Sequence, residues 1–206
     1  MYMNNEEMIF IAVPKDYPED LYGFMERDLN SLNFKVKTIY TNNGVMAGIE
    51  WALPTVVTAY LLKPFFETIL KEAAKDLYSA VKLKLKDFIS KNRARKYKYV
   101  TATASVEKLS GNYNQSITVS LEAFLHPKVK VKVLFDESVS DDDMDAMLEG
   151  MFEVLKYIYS ECQKNIPEEV SETDDDKLDL FLLANLDSQT WEILTQKQMV
   201  ERYKQK

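Results

Sequence analysis

One cysteine and one histidine in 206 residues remove whole classes of chemistry from this chain. The lone thiol, Cys162, closes no internal disulfide and fits a reducing compartment. The lone imidazole, His126, has no second histidine or cysteine beside it with which to hold a transition metal. Ser-His or Cys-His nucleophilic schemes need partners that the sequence does not announce. Glycine is scarce as well: the five present fall in neither GxGxxG nor GxxxxGK spacing, so no phosphate-cradling loop is legible and no cofactor is expected.

Long apolar runs are also missing. The most apolar uncharged stretch, WALPTVVTAYLL from Trp51 to Leu62, is twelve residues, against the roughly 20 that a spanning helix needs. Extending it upstream to Val45 reaches that length only by including Glu50 and placing Pro54 inside the span. The N-terminus, MYMNNEEMIFIAVP, puts acids before a short apolar run and has no basic n-region or small-residue cleavage site, so it does not read as a secretory signal. The chain is therefore expected to be cytoplasmic. Asn114-Gln115-Ser116 spells a glycosylation sequon that an intracellular chain would not use.

What is present is the composition of a folded protein, 46% hydrophobic and 12% aromatic. MIFIAVP reads as a buried strand. DYPEDLYGFMERDLNSL reads as a helix with Leu21, Phe24, Met25, Leu29 and Leu32 on one face, and FKVKTIYTNNG as a second strand. Together they predict an N-terminal β-α-β unit with a parallel pair. Val56, Val57, Ala59, Tyr60, Leu61 and Leu62 leave no polar face, which predicts a helix enclosed on all sides. It runs into a long central helix, kinked or split at Pro64, whose stripe is Phe66, Ile69, Ala73, Leu77, Ala80, Val81, Leu85 and Phe88.

Three alternating runs follow, YKYVTATASVEKL, SITVSLEAFL and KVKVKVLF, and predict a three-stranded antiparallel meander. Val119, Leu121, Ala123, Leu125, Val129, Val131, Val133 and Phe135 would face the helices. Thr118, Ser120, Glu122, Lys130 and Lys132 would lie on a face open to solvent. Ser140 caps a third amphipathic helix with a seam of Met144, Met147, Leu148, Met151, Leu155, Ile158 and Cys162. NIPEEVSETDDDK reads as an acidic linker. LDLFLLANLDSQTWEIL then predicts a C-terminal hairpin turning at Asn185 to Thr190, and a short helix follows behind a Thr195/Gln198 capping box. The fold class is α+β: a domain over residues 1–165, a linker over 166–177 and an extension over 178–206 docked on the main body.

Each chemical candidate has a plain structural explanation. His126 precedes a proline at a strand end and reads as a turn residue, and Cys162 lies on the apolar seam of its helix. Asp141, Asp142 and Asp145 spell a DDxxD magnesium motif, but acids in a first helical turn already answer to the helix dipole. Glu19, Asp20, Glu26, Asp28 and Glu50 are not brought together by spacing. No catalytic or metal residue is named. The clearest charge feature is Lys82 to Lys98, with eight basic residues and one acid. Its Arg93, Arg95, Lys96 and Lys98, joined by Lys130 and Lys132 from the sheet, form the candidate patch for an anion or a partner. A net charge of -7 weighs against a general nucleic-acid binder.

These observations point to binding and away from catalysis: a protein-interaction module of the accessory, regulatory or toxin-neutralising kind found in bacteria. The methionines of the third helix would suit a partner's face, and a homo-oligomer is allowed. Two alternatives stand beside it, nucleic-acid or phosphate binding through residues 82–98 and a membrane-active role for residues 51–66.

Overall fold

A computed structural model describes residues 7–41, 55–70, 74–93, 115–166, 177–185 and 190–204. Within them, seven strands form one mixed sheet in the order β2-β1-β3-β4-β5-β6-β7. The strands are β1 (Ile9–Pro14), β2 (Val36–Thr41), β3 (Val57–Leu61), β4 (Gln115–His126), β5 (Val129–Asp136), β6 (Leu178–Asn185) and β7 (Thr190–Thr195). The α-helices are α1 (Gly23–Asn30), α2 (Lys63–Ile69), α3 (Lys75–Arg93), α4 (Asp141–Asn165) and α5 (Gln196–Lys204). The protein is thus α+β, and among the described residues no helix is long and apolar enough to cross a membrane.

The stretch expected to be an enclosed helix is instead a central strand. β3 lies between β1, to which it is antiparallel, and β4, to which it is parallel. A strand covered on both faces carries no polar alternation, so it looks in sequence like a helix buried all round. The β-branched Val56, Val57 and Thr58 fit the pleated answer. The expected long helix is divided: Pro64 sits in the first turn of α2, where a missing N–H costs nothing, and α3 begins at Lys75. A membrane role for residues 51–66 based on releasing one apolar helix does not fit, because residues 57–61 are β3 and a helix begins only at Lys63; withdrawing β3 would part β1 from β4. Trp51 to Pro54 lie outside the described residues.

α1 to α4 cover one face of the sheet. Met25 and Leu29 of α1, Phe65 and Phe66 of α2, Val81, Leu85 and Phe88 of α3, and Met144, Leu148 and Met151 of α4 join Ile9, Ile11, Val57, Ala59, Leu121, Val131 and Leu182 in one core. Phe65 is a hub of this layer, its ring centroid 6.1 Å from Phe34, 5.1 Å from Phe66 and 6.2 Å from Phe152. The methionines of α4 are therefore inside the protein, and the adaptable face expected to meet a partner is part of the core. α1 ends in a turn where Phe34 N–H bonds Leu29 C=O and Asn33 N–H bonds Asn30 C=O, with Asn33 in the left-handed conformation at φ 63°. That turn delivers the chain into β2, parallel to β1.

α5 lies on the opposite face, where Met199 packs on Leu134, Phe181 and Leu183. The C-terminal hairpin continues the sheet, since β6 pairs in parallel with β5 and β7 antiparallel with β6. β7 is fastened from the helical side: the Trp191 indole N–H donates to Met147 C=O at 2.9 Å. Gly150 makes room for that ring, because a Cβ there would lie 3.3 Å from it. The first run expected in the meander and most of the acidic stretch after Ile166 fall outside the described residues.

Candidate functional site

The basic segment is the first place to look, and its described cations are all engaged within the molecule. Along α3, Lys82 Nζ meets Glu149 at 2.7 Å, Lys84 meets Asp28 at 2.6 Å and Lys86 meets Asp145 at 2.7 Å. Lys91 lies over the Phe24 ring at 4.0 Å from its centroid, and Arg93 Nη2 meets Asp141 Oδ1 at 2.8 Å. These contacts lace α3 to α1 on one side and α4 on the other. Hydrogen bonds from Lys86, Lys82 and Lys84 hold the carboxyls of Asp145, Glu149 and Asp28 below their ordinary range. Asp141 and Asp145 of the DDxxD string are thus taken up by basic residues of α3. Arg95, Lys96 and Lys98 lie outside the described residues.

Lys130 and Lys132 do not join Arg93. They lie on the sheet face opposite the helical layer, and that face is closed where the sequence predicts an open one. Thr118, Ser120, Glu122 and Lys132 are all buried, with Glu122 1% and Lys132 6% exposed. Cross-strand register builds a row in which Tyr60, Glu122, Lys132 and Phe181 stand side by side on β3 to β6. Lys132 Nζ lies 3.2 Å from Glu122 Oε1, and Lys130 Nζ lies 3.8 Å from Oε2 and 3.9 Å from Asp179 Oδ1. One register step away, the Thr55 and Ser120 hydroxyls are 2.6 Å apart, with Thr58 bridging at 3.1 and 3.2 Å. Alternation reports which residues are polar. It does not report that polar groups on neighbouring strands can satisfy one another away from water.

Among the described residues Glu122 Oε2 is buried without a hydrogen-bond partner, an expensive arrangement for a carboxylate oxygen. The sequence signal for this pair was available: a glutamate alternating on one strand and lysines alternating on the next, one connection away. His126 is buried too, its Nδ1 accepting from Lys128 N–H at 3.2 Å, which makes it the turn residue expected. Burial raises the Cys162 thiol above its ordinary value, so the reactive thiolate is disfavoured.

The two edges of the sheet differ in a way no local pattern announces. At the β2 edge, side chains of α1 hold the outward backbone groups of Val36 and the N–H of Thr38. Asn30 Oδ1 accepts from Val36 N–H at 2.8 Å while its Nδ2 donates to Val36 C=O at 3.1 Å, and Glu26 Oε2 accepts from Thr38 N–H at 2.9 Å. At the β7 edge, the capping box covers the end of the strand, where Thr195 N–H donates to Gln198 Oε1 at 2.8 Å. That bond also fixes the phase of the strand: Thr195 turns its N–H away from β6, and alternation turns Ile193 and Trp191 the same way.

Three of the usual protections of an edge are missing from β7: TWEILT has no lysine and no proline, and its pairing with β6 has no bulge. Its one charge is neutralised in place, since Glu192 is bonded by Arg202 and Asn185, which hold its carboxyl below the ordinary range. Ile193 is 44% exposed. Among the described residues β7 has a strand neighbour on one side only. The chain matches no family model, no curated protein and no solved structure.

Proposed function

We propose that this chain is a protein-interaction module of accessory or regulatory type that takes its partner by strand addition at β7. The observation that carries the reading is the contrast between the two edges. Strand addition draws affinity from outward main-chain groups and specificity from the side chains beside them. On β2 the outward groups of Val36 and the Thr38 N–H are taken by Asn30 and Glu26, whereas β7, among the described residues, presents Trp191 and Ile193 on a strand held rigid by the indole bond to α4. A strand fastened before binding loses little freedom on binding. The nucleic-acid reading draws less support, because the five described cations of residues 82–93 already have partners inside the fold.

The test is photo-crosslinking in the cells that make the protein, with benzoylphenylalanine placed at Thr195 on one edge and at Lys37 on the other. Discrete protein adducts from position 195 and none from position 37 are expected. No adduct from 195, or the same adducts from both positions, overturns the proposal.

A further inference from the structure

We infer that Met199 is a site of reversible oxidation by peroxide, and that its sulfoxide releases α5 from the sheet. The inference does not depend on what β7 binds. α5 is nine residues long, and a helix that short has little stability of its own in water, so it persists only while it is docked. The docking narrows to one side chain. Of residues 196–202 only Met199 is buried, at 0% exposed, and the other six are exposed. Met199 lies against Leu134, Phe181 and Leu183, with Leu194 beside them, in a cluster separate from the main core. The polar ties of α5 are at the surface: Gln198 caps Thr195, and Arg202 pairs with a partly exposed Glu192. Exposed pairs of this kind contribute little.

Full burial of one methionine favours the docked form by a factor of roughly 10 to 100, so α5 opens often on the scale of the whole fold. Met25 of α1 and Met144 and Met151 of α4 are equally buried, but they belong to the main core and are uncovered only when that core opens. Peroxide therefore reaches Met199 before these three. In the reaction a lone pair on Met199 Sδ attacks one oxygen of hydrogen peroxide, the O–O bond breaks and an S–O bond forms. The other oxygen leaves as water with the proton of the transferred one; sulfur gives up two electrons and peroxide takes them. The sulfoxide oxygen is a strong acceptor, and the side chains of Leu134, Phe181, Leu183 and Leu194 offer it no donor, so redocking would bury an unsatisfied polar group. α5 then stays undocked, while the main core, which does not include Met199, is left in place. Methionine sulfoxide is reduced enzymatically, which makes the release reversible.

The experiment treats the purified full chain with hydrogen peroxide and follows each methionine by peptide mass spectrometry. Met199 is expected to oxidise at least about tenfold faster than Met25, Met144 and Met151. Hydrogen exchange reads the consequence. The Val200, Glu201 and Arg202 amides are expected to lose protection in the oxidised chain and in Met199→Gln, whose side-chain amide stands in for the sulfoxide, while the amides of β1 keep theirs. Met199→Leu docks without an oxidisable sulfur and is expected to keep α5 protected through the same treatment.

A Met199 rate no faster than those of Met25, Met144 and Met151 overturns the site. Protection of α5 that survives oxidation of Met199, or survives in Met199→Gln, overturns the release. Loss of α5 protection in peroxide-treated Met199→Leu assigns the release to another residue and overturns it as well. Loss of β1 protection in Met199→Gln makes Met199 a support of the whole fold, which is incompatible with a local latch.

Discussion

Replacing Lys132 with methionine tests the buried charge pair. The methionine keeps most of the side-chain length, suits the Tyr60 and Phe181 surroundings, and leaves Glu122 without the cation at 3.2 Å. At that separation and an effective dielectric of about 20, the lost attraction is about 5 kcal/mol. Lys130, 3.8 Å from the other oxygen, remains as partial compensation. Breaking a buried pair from one side costs about 3–5 kcal/mol, and the lower end is expected here because of Lys130. For a chain of this length that lowers the melting temperature by roughly 6–12 °C. The double variant Glu122→Leu with Lys132→Met removes both charges and is expected to return to within about 1 kcal/mol of the parent.

Urea unfolding and calorimetry provide the values, with Lys164→Met as the exposed-pair control, expected to cost less than about 1 kcal/mol. A Lys132→Met cost no larger than that of Lys164→Met, or a double variant no more stable than Lys132→Met alone, refutes the reasoning.

Phe65→Ala empties the hub of the helical layer and is expected to cost about 3–5 kcal/mol in urea unfolding, against less than about 0.5 for the exposed Leu83→Ala. On the acid side, Asp145, Glu149, Asp28 and Glu192 have folded values below their unfolded ones. Their contribution is therefore complete above the ordinary carboxylate range near pH 4 and is lost as pH falls through the lowered values. Melting temperature plotted against pH is expected to drop below that point, and the drop to shrink in Lys82→Met/Lys86→Met; an unchanged slope counts against these pairs. Glu26→Ala with Asn30→Ala uncovers Val36 and Thr38 at the β2 edge, and benzoylphenylalanine at position 37 is then expected to give protein adducts. A variant still without adducts from position 37 contradicts the role given to those side chains.

What was legible in the sequence divides along physical lines. The seam of α4, its Ser140 cap and the Thr195/Gln198 box follow from patterns within a few residues, and the structure has them in place. β3 was misread because a strand buried on both faces and a helix buried all round share a lack of polar residues, and only the neighbouring strands decide between them. The polar sheet face was misread for a related reason: Glu122 and Lys132 come from different strands, and their mutual burial depends on register. The cations of α3 look like a ligand patch until α1 and α4 bring Asp28, Glu149, Asp145 and Asp141 against them. The edges were out of reach altogether, because which strand is outermost is a property of the whole sheet order.

Amide hydrogen exchange at Ile193, with Thr38 as the internal reference, tests the central claim, the contrast between the two edges, most directly. The account expects the Ile193 amide, turned away from β6, to exchange fast, while the Thr38 amide, held by Glu26, is protected. An Ile193 amide protected as strongly as that of Thr38 would contradict it.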